Sequence, residues 1–227
     1  MSTLTRPSFF VALVLLCWSA VAFADGGFQK VLFVGNSITL HGPKADIDWS
    51  GNWGMAASEE SKDYVHLVTK ALAAKSGVAP EALVKNIADF ERAYVGYDLA
   101  EKLKEAIEFR PDLIILAIGE NVPAVKSAEE GVKLQKSVTE LLRVLVGDRH
   151  VTVLVRSCFW ANAAKDDALR KACSAVGGIF VDISELSKDE GNFGRAERAF
   201  KHAGVANHPG DKGMAAIAAA LVKALPQ

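Results

Sequence analysis

Five short apolar runs recur along the chain: "KVLFVG" from residue 30, "ALVKNIA" from 82, "PDLIILAIG" from 111, "HVTVLVRS" from 150 and "GIFVDI" from 178. Most are nearly continuous rather than alternating, the pattern of strands covered on both faces. Between them, apolar positions recur at helical spacing. Tyr64, Leu67, Val68, Ala71 and Leu72 form one stripe, with Gly77 as its stop signal. Leu134, Val138, Leu141, Leu142 and Leu145 form a second. Met214, Ile217, Ala218, Leu221, Val222 and Leu225 form a third, which Asp211 is placed to cap. Strand alternating with helix predicts a parallel α/β sheet joined by right-handed crossovers. No internal repeat or low-complexity tract interrupts it.

The first residues follow a different pattern. Arg6 precedes the apolar stretch "FFVALVLLCWSAVAFA", and Ala22 and Ala24 make the small-x-small pattern of a signal peptidase site. Residues 1–24 are therefore expected to be a cleaved signal peptide, and residues 25–227 a single domain exported to the periplasm or secreted. The apolar stretch is short for a membrane span and no second candidate follows, so stable membrane insertion is not expected after processing. Leu16 is too bulky for the small residue that precedes a lipoprotein cysteine, which argues against such a role for Cys17. Lys plus Arg (26) nearly balance Asp plus Glu (27), and no basic stretch stands out, so nothing points to nucleic acid. Cys158 and Cys173 either pair in an oxidising compartment or remain two buried thiols; spacing leaves both open.

In open α/β sheets, sites form outside the carboxyl ends of the strands. Those ends carry Gly35-Asn36-Ser37, then "DFERAY" from residue 89, then Gly119-Glu120-Asn121; His208 lies in "VANHPGDKGM" just before the last helical stripe. Taken singly, each has a structural explanation. Gly-Asn-Ser is commonly a turn and helix cap, Asn121 suits a turn, and a histidine can be buried and hydrogen-bonded. Together they supply a hydroxyl nucleophile, an imidazole base and an amide donor on one edge of the sheet. The stretch from His41 to Glu60 lacks a clean period, and such long connections are more often functional than accidental.

The blocks "FVGNSIT", "PDLIILAIGEN" and "HPGDKGMAAIA", in that order, resemble the SGNH, or GDSL-like, hydrolase family over essentially the whole mature chain. The resemblance implies a three-layer α/β/α sandwich with a five-stranded parallel sheet of flavodoxin-like type. Carried over residue by residue, it makes Ser37 the nucleophile, His208 the general base and Asn121 an oxyanion donor beside the Ser37 N–H. A helix N-terminus behind the serine would favour the developing negative charge. Three departures stand out. Asn36 replaces the family's aspartate. The glycine after the second strand is missing, and counting from Asn86 brings Glu91 nearest that place as a backbone donor. Val205 occupies the position of the family's acid, three residues before the histidine. Asp182, at the end of the fifth strand, and Asp211, in the turn after the histidine, are the candidates to orient it instead. A Ser-His dyad supported by a backbone carbonyl is the favoured expectation.

These readings converge on a serine esterase that removes small acyl groups, acetyl foremost, from a small-molecule or carbohydrate ester without metal or organic cofactor. The alternatives are an O-acyltransferase on the same fold and a carbohydrate-binding domain that has lost turnover. Trp49, Asn52 and Trp53 in the long connection are the expected sugar contacts, with Trp53 foremost because Gly51 and Gly54 free its backbone.

Overall fold

The computed structural model describes residues 27–226. The expected signal peptide lies outside the described residues. Five strands alternate with helices in chain order: β1 (Lys30–Gly35), α1 (Tyr64–Ser76), β2 (Glu81–Asn86), α2 (Ala88–Arg92), α3 (Leu99–Lys102), α4 (Lys104–Phe109), β3 (Leu113–Ala117), α5 (Ala128–Val146), β4 (Thr152–Arg156), α6 (Ala163–Ser174), β5 (Ile179–Val181), α7 (Gly194–Glu197), α8 (Ala203–Ala206) and α9 (Asp211–Ala224). All pairings within the sheet are parallel, and the strand order β2-β1-β3-β4-β5 is the flavodoxin-like one. Each of the five apolar runs coincides with one strand, β2 starting one residue earlier, at Glu81. Among the described residues, no helix is long and apolar enough to cross a membrane.

The continuous apolar runs are explained by two separate cores. Leu32, Val34, Ile114 and Leu116 face one side, under α4, α5 and α6. Val31, Phe33, Leu113 and Ile115 face the other, under α1 and α9. Successive side chains point to opposite faces, so a strand covered on both must be apolar at every position. Each fully buried Leu, Ile, Val or Phe contributes roughly 1.5–3 kcal/mol. The central strands β1 and β3 are therefore the rigid base from which the loops at their carboxyl ends project. The edge strand β5 is only three residues long and leaves Ile179 partly exposed.

Local signals set most helix ends. Asp63 caps α1 by accepting from the His66 N–H, and Gly77 ends it in a left-handed conformation at φ 78°. Ser127 and Asn162 cap α5 and α6 in the same way. The last helix departs from expectation. Asp211 does not cap α9; its carboxylate instead accepts from the Ser58 N–H and hydroxyl, at 2.7 and 2.6 Å. The capping acceptor is Glu197, which reaches across to the N–H groups of Asp211 and Lys212, both at 2.7 Å. A carboxylate there also complements the helix dipole. Cys158 and Cys173 are both buried and unpaired.

Candidate active site

At the end of β1 the chain turns sharply. A side chain on Gly35 would collide with the Thr39 hydroxyl, which is hydrogen-bonded to Tyr64 Oη at 2.7 Å, so only glycine fits. The next residues form a turn and not a helix: Thr39 N and Leu40 N both donate to Asn36 O at 2.9 Å. The expected helix N-terminus behind Ser37 is therefore absent, and α1 begins only at Tyr64. Asn36 Oδ1 accepts from the Ile38 N–H at 3.1 Å and holds the turn.

Ser37 Oγ lies 2.8 Å from His208 Nε2. His208 follows α8, and its Nδ1 lies 2.7 Å from the Gly204 carbonyl oxygen. A carbonyl can only accept, so Nδ1 carries the ring proton and Nε2 is left to accept from the serine hydroxyl. Neither candidate acid reaches the ring. Asp182 is held by Ser157, Ser184 and Arg170, and Asp211 by Ser58. Val205 is 1% exposed, packed with Trp49, Met55 and Ala56. Burial holds the imidazole pKa below its ordinary value, against the opposing pull of the Gly204 carbonyl and Glu120.

Ser37, Asn121 and His208 line one cleft of about 510 Å³, together with His41, Met55, Ala88, Asp89, Arg92 and His202. The Asn121 side chain donates one N–H to Glu91 Oε2 at 2.7 Å and accepts from Arg92 at 3.3 Å. Its second amide N–H has no protein acceptor among the described residues. The backbone N–H of Ser37 has no protein acceptor among the described residues. Glu91 does not supply the backbone donor that the sequence suggested. Its N–H donates to the Ile87 carbonyl at 3.2 Å, within α2, and its side chain is fully buried beneath the cleft. Asp89, two residues earlier, reaches the cleft instead, and its N–H has no protein acceptor among the described residues.

A buried polar cluster lies under these groups. Arg156, fully buried at the end of β4, donates to Glu120 Oε1 at 2.7 Å. The Phe159 N–H and the Asn36 amide also donate to Glu120, at 2.8 and 2.7 Å. Burial alone would raise the Glu120 pKa; the guanidinium and these hydrogen bonds outweigh it and hold the carboxyl below its ordinary range. Glu91 is pushed the other way, first by burial and then by the negative charge of Glu120. Asn36 donates one amide hydrogen to each carboxylate. An aspartate there would add a third acid to the cluster, which accounts for the asparagine at this position.

The tryptophans are not where the sequence suggested. Trp49 is 7% exposed and donates to the His41 carbonyl, while Trp53 donates to the Ala57 carbonyl. The two indoles meet edge to face at 5.8 Å, and Gly51 packs against both, so its role is close contact and not backbone freedom. Neither indole lines the cleft, and Asn52 is exposed outside it. The long connection does border the site, through His41, Ile47 and Met55. The indole beside the Ser37–His208 pair is Trp160, after β4, 36% exposed and edge to face with His208 at 5.5 Å. Its sequence signal was an aromatic pair, Phe159-Trp160, at a strand's carboxyl end.

No family model matches the sequence, and no curated protein matches it. Solved structures do match in fold. A family two carbohydrate esterase from Cellvibrio japonicus superposes with a TM-score of 0.55 at 17% identity, over 87% of this chain and 60% of that one. A protein designated a GDSL-like lipase from Parabacteroides merdae gives 0.54 at 17% identity, over 88% and 96%. A second so designated, from Bacteroides uniformis, gives 0.53 at 12% identity, over 87% and 95%. The chain has the SGNH, or GDSL-like, hydrolase fold. It spans 60% of the length of the Cellvibrio enzyme. On this SGNH frame the serine and histidine lie at the sheet's carboxyl edge, with the position before the serine amidated and the position three before the histidine apolar.

Proposed function

We propose that the protein is a serine ester hydrolase acting on small acyl groups, acetyl foremost, carried by a carbohydrate. The observation that carries this reading is the 2.8 Å contact of Ser37 Oγ with a His208 ring whose other nitrogen faces a carbonyl. Ser37 Oγ attacks the ester carbonyl carbon while Nε2 takes its proton. The oxygen that becomes negative meets the Ser37 N–H, the free Asn121 amide hydrogen and the Asp89 N–H. The tetrahedral species collapses, and the imidazolium protonates the departing alcohol. Water, deprotonated by the same ring, then releases the acid and restores Ser37. The carbohydrate esterase among its structural neighbours supports a sugar ester as substrate. Export through cleavage after Ala24 completes the reading. Labelling of Ser37 by a fluorophosphonate, with a screen of acetylated sugars and p-nitrophenyl esters, tests it; no label and no turnover would refute it.

A general base must be neutral to act. Because burial lowers the His208 pKa, the neutral form persists to lower pH than for a free imidazole. The acid limb of kcat/KM is expected to have its midpoint below about 6.5, the ordinary histidine value. A midpoint above that would mean that another group controls the rate.

Trp160 replaces Trp53 as the sugar platform in this reading, since its ring is partly exposed beside the catalytic histidine. Trp160→Ala is expected to reduce kcat/KM for an acetylated sugar at least about tenfold, the scale of one aromatic contact. Turnover of p-nitrophenyl acetate should change much less. Equal losses on both substrates would make Trp160 a support for His208 alone.

A further inference from the structure

The buried carboxylate of Glu91 accepts four hydrogen bonds. Gly119 N donates to Oε1 at 2.6 Å, Asn121 N at 3.2 Å and Asn36 Nδ2 at 3.2 Å, while Asn121 Nδ2 donates to Oε2 at 2.7 Å. Glu91 follows β2, Asn36 follows β1, and Gly119 with Asn121 follow β3. These three strands are neighbours in the order β2-β1-β3, so one side chain ties their carboxyl ends together. Gly119 completes the approach. Its φ is 126°, and a side chain there would strike Cys158 Sγ.

We infer that Glu91 is a positioning residue for the proposed ester chemistry, fixing the Asn121 amide against the nucleophile turn. The inference rests on the ester-hydrolase reading. Asn121 is a planar amide with one acceptor and two donor hydrogens. Glu91, which only accepts when ionised, faces its nitrogen; Arg92, which only donates, faces its oxygen. Rotating the amide by half a turn would set oxygen against carboxylate and nitrogen against guanidinium. The orientation that leaves one N–H toward the cleft is therefore the only one that both neighbours accept. Through Asn36, whose own amide carries the Ile38 N–H, the same carboxylate sets the turn that presents Ser37.

Glutamine is the discriminating substitution because it keeps the size and removes one of the two acceptor oxygens. Four donors now converge on a group with a single acceptor, and its NH2 confronts either Asn121 Nδ2 or the donors at Oε1. In Glu91→Gln, kcat on p-nitrophenyl acetate is expected to fall roughly ten- to hundredfold, up to the scale of one oxyanion donor, with KM within about twofold. In an Asn121→Ala background the same change should cost less than about threefold, because the group it orients is gone. Wild-type kcat in Glu91→Gln, or an equal loss in both backgrounds, would overturn the inference. Should the glutamine variant fail to fold by circular dichroism, Glu91→Asp keeps the charge and shortens the reach. It is expected to show the same dependence on Asn121, and an Asn121-independent loss would count against the inference equally. An active wild type with a silent Glu91→Gln refutes only this role for Glu91. A wild type that neither labels at Ser37 nor turns over any ester refutes the ester reading itself.

Discussion

Ser37→Ala is expected to abolish ester hydrolysis, leaving no more than about a few per cent of wild-type turnover, the scale of losing a catalytic nucleophile. Stability should hardly change. Among the described residues the hydroxyl makes one hydrogen bond, with His208, in an open cleft, and the turn beneath it is held by other groups. Thr39 N and Leu40 N bind the Asn36 carbonyl, and Met55 N binds the Ser37 carbonyl at 2.8 Å, none of which involves the side chain. Substitutions away from packed or networked groups usually alter stability by only about 0.5 kcal/mol. Fluorophosphonate labelling should vanish in the variant while thermal melting is retained. Residual turnover well above a few per cent would remove Ser37 from the chemistry.

His208→Ala should cost on the order of a thousandfold in kcat, the scale of general-base loss in serine hydrolases. The companion substitutions carry the sharper test. Asp182→Asn is expected to leave the rate near wild type, since Asp182 contacts Ser157, Ser184 and Arg170 and not the ring. Val205→Asp, which places an acid three residues before the histidine, is expected to lower the melting temperature instead of raising the rate. Val205 is packed among Trp49, Met55 and Ala56, and an unpaired polar group buried there costs about 1–3 kcal/mol. Each kcal/mol is worth roughly 2–4 °C in a domain of this size. Full activity in His208→Ala would end the dyad, and a faster Val205→Asp enzyme would show that the carbonyl is a poor substitute for an acid.

Much of the frame was legible because its signals are local. Runs such as "VLFVG" and "LIILA" are continuous since both faces are covered, and that pattern needs no knowledge of the partners. Gly35, Ser37 and Asn121 stood out in short blocks at strand ends, where a parallel sheet gathers its chemistry, and His208 in the turn before the last helix. What escaped depends on reach across elements. Glu91 lies one turn into α2, so its backbone is spent on the helix and its side chain passes beneath Asn121; spacing from Asn86 shows neither. Trp160 meets His208 only because β4 and the segment before α9 converge. Asp211 looked like a cap from its position, but Ser58 claims its carboxylate and Glu197 takes the cap. Arg156 carries a signal of its own: a charged residue ending an apolar strand must find its opposite nearby, here Glu120.

The hydrogen-bond acceptor behind His208 belongs to the main chain of Gly204. A side-chain acid can be deleted by one codon change, whereas a carbonyl survives every replacement at its own position. Drift at residue 204 therefore acts through shape: a methyl group there would come within 2.8 Å of the His202 ring and must displace it or the backbone. The histidine's support is thus protected against chemical loss and exposed to mechanical loss. Variants that impair it should map to the short segment from His202 to Pro209, which borders the cleft.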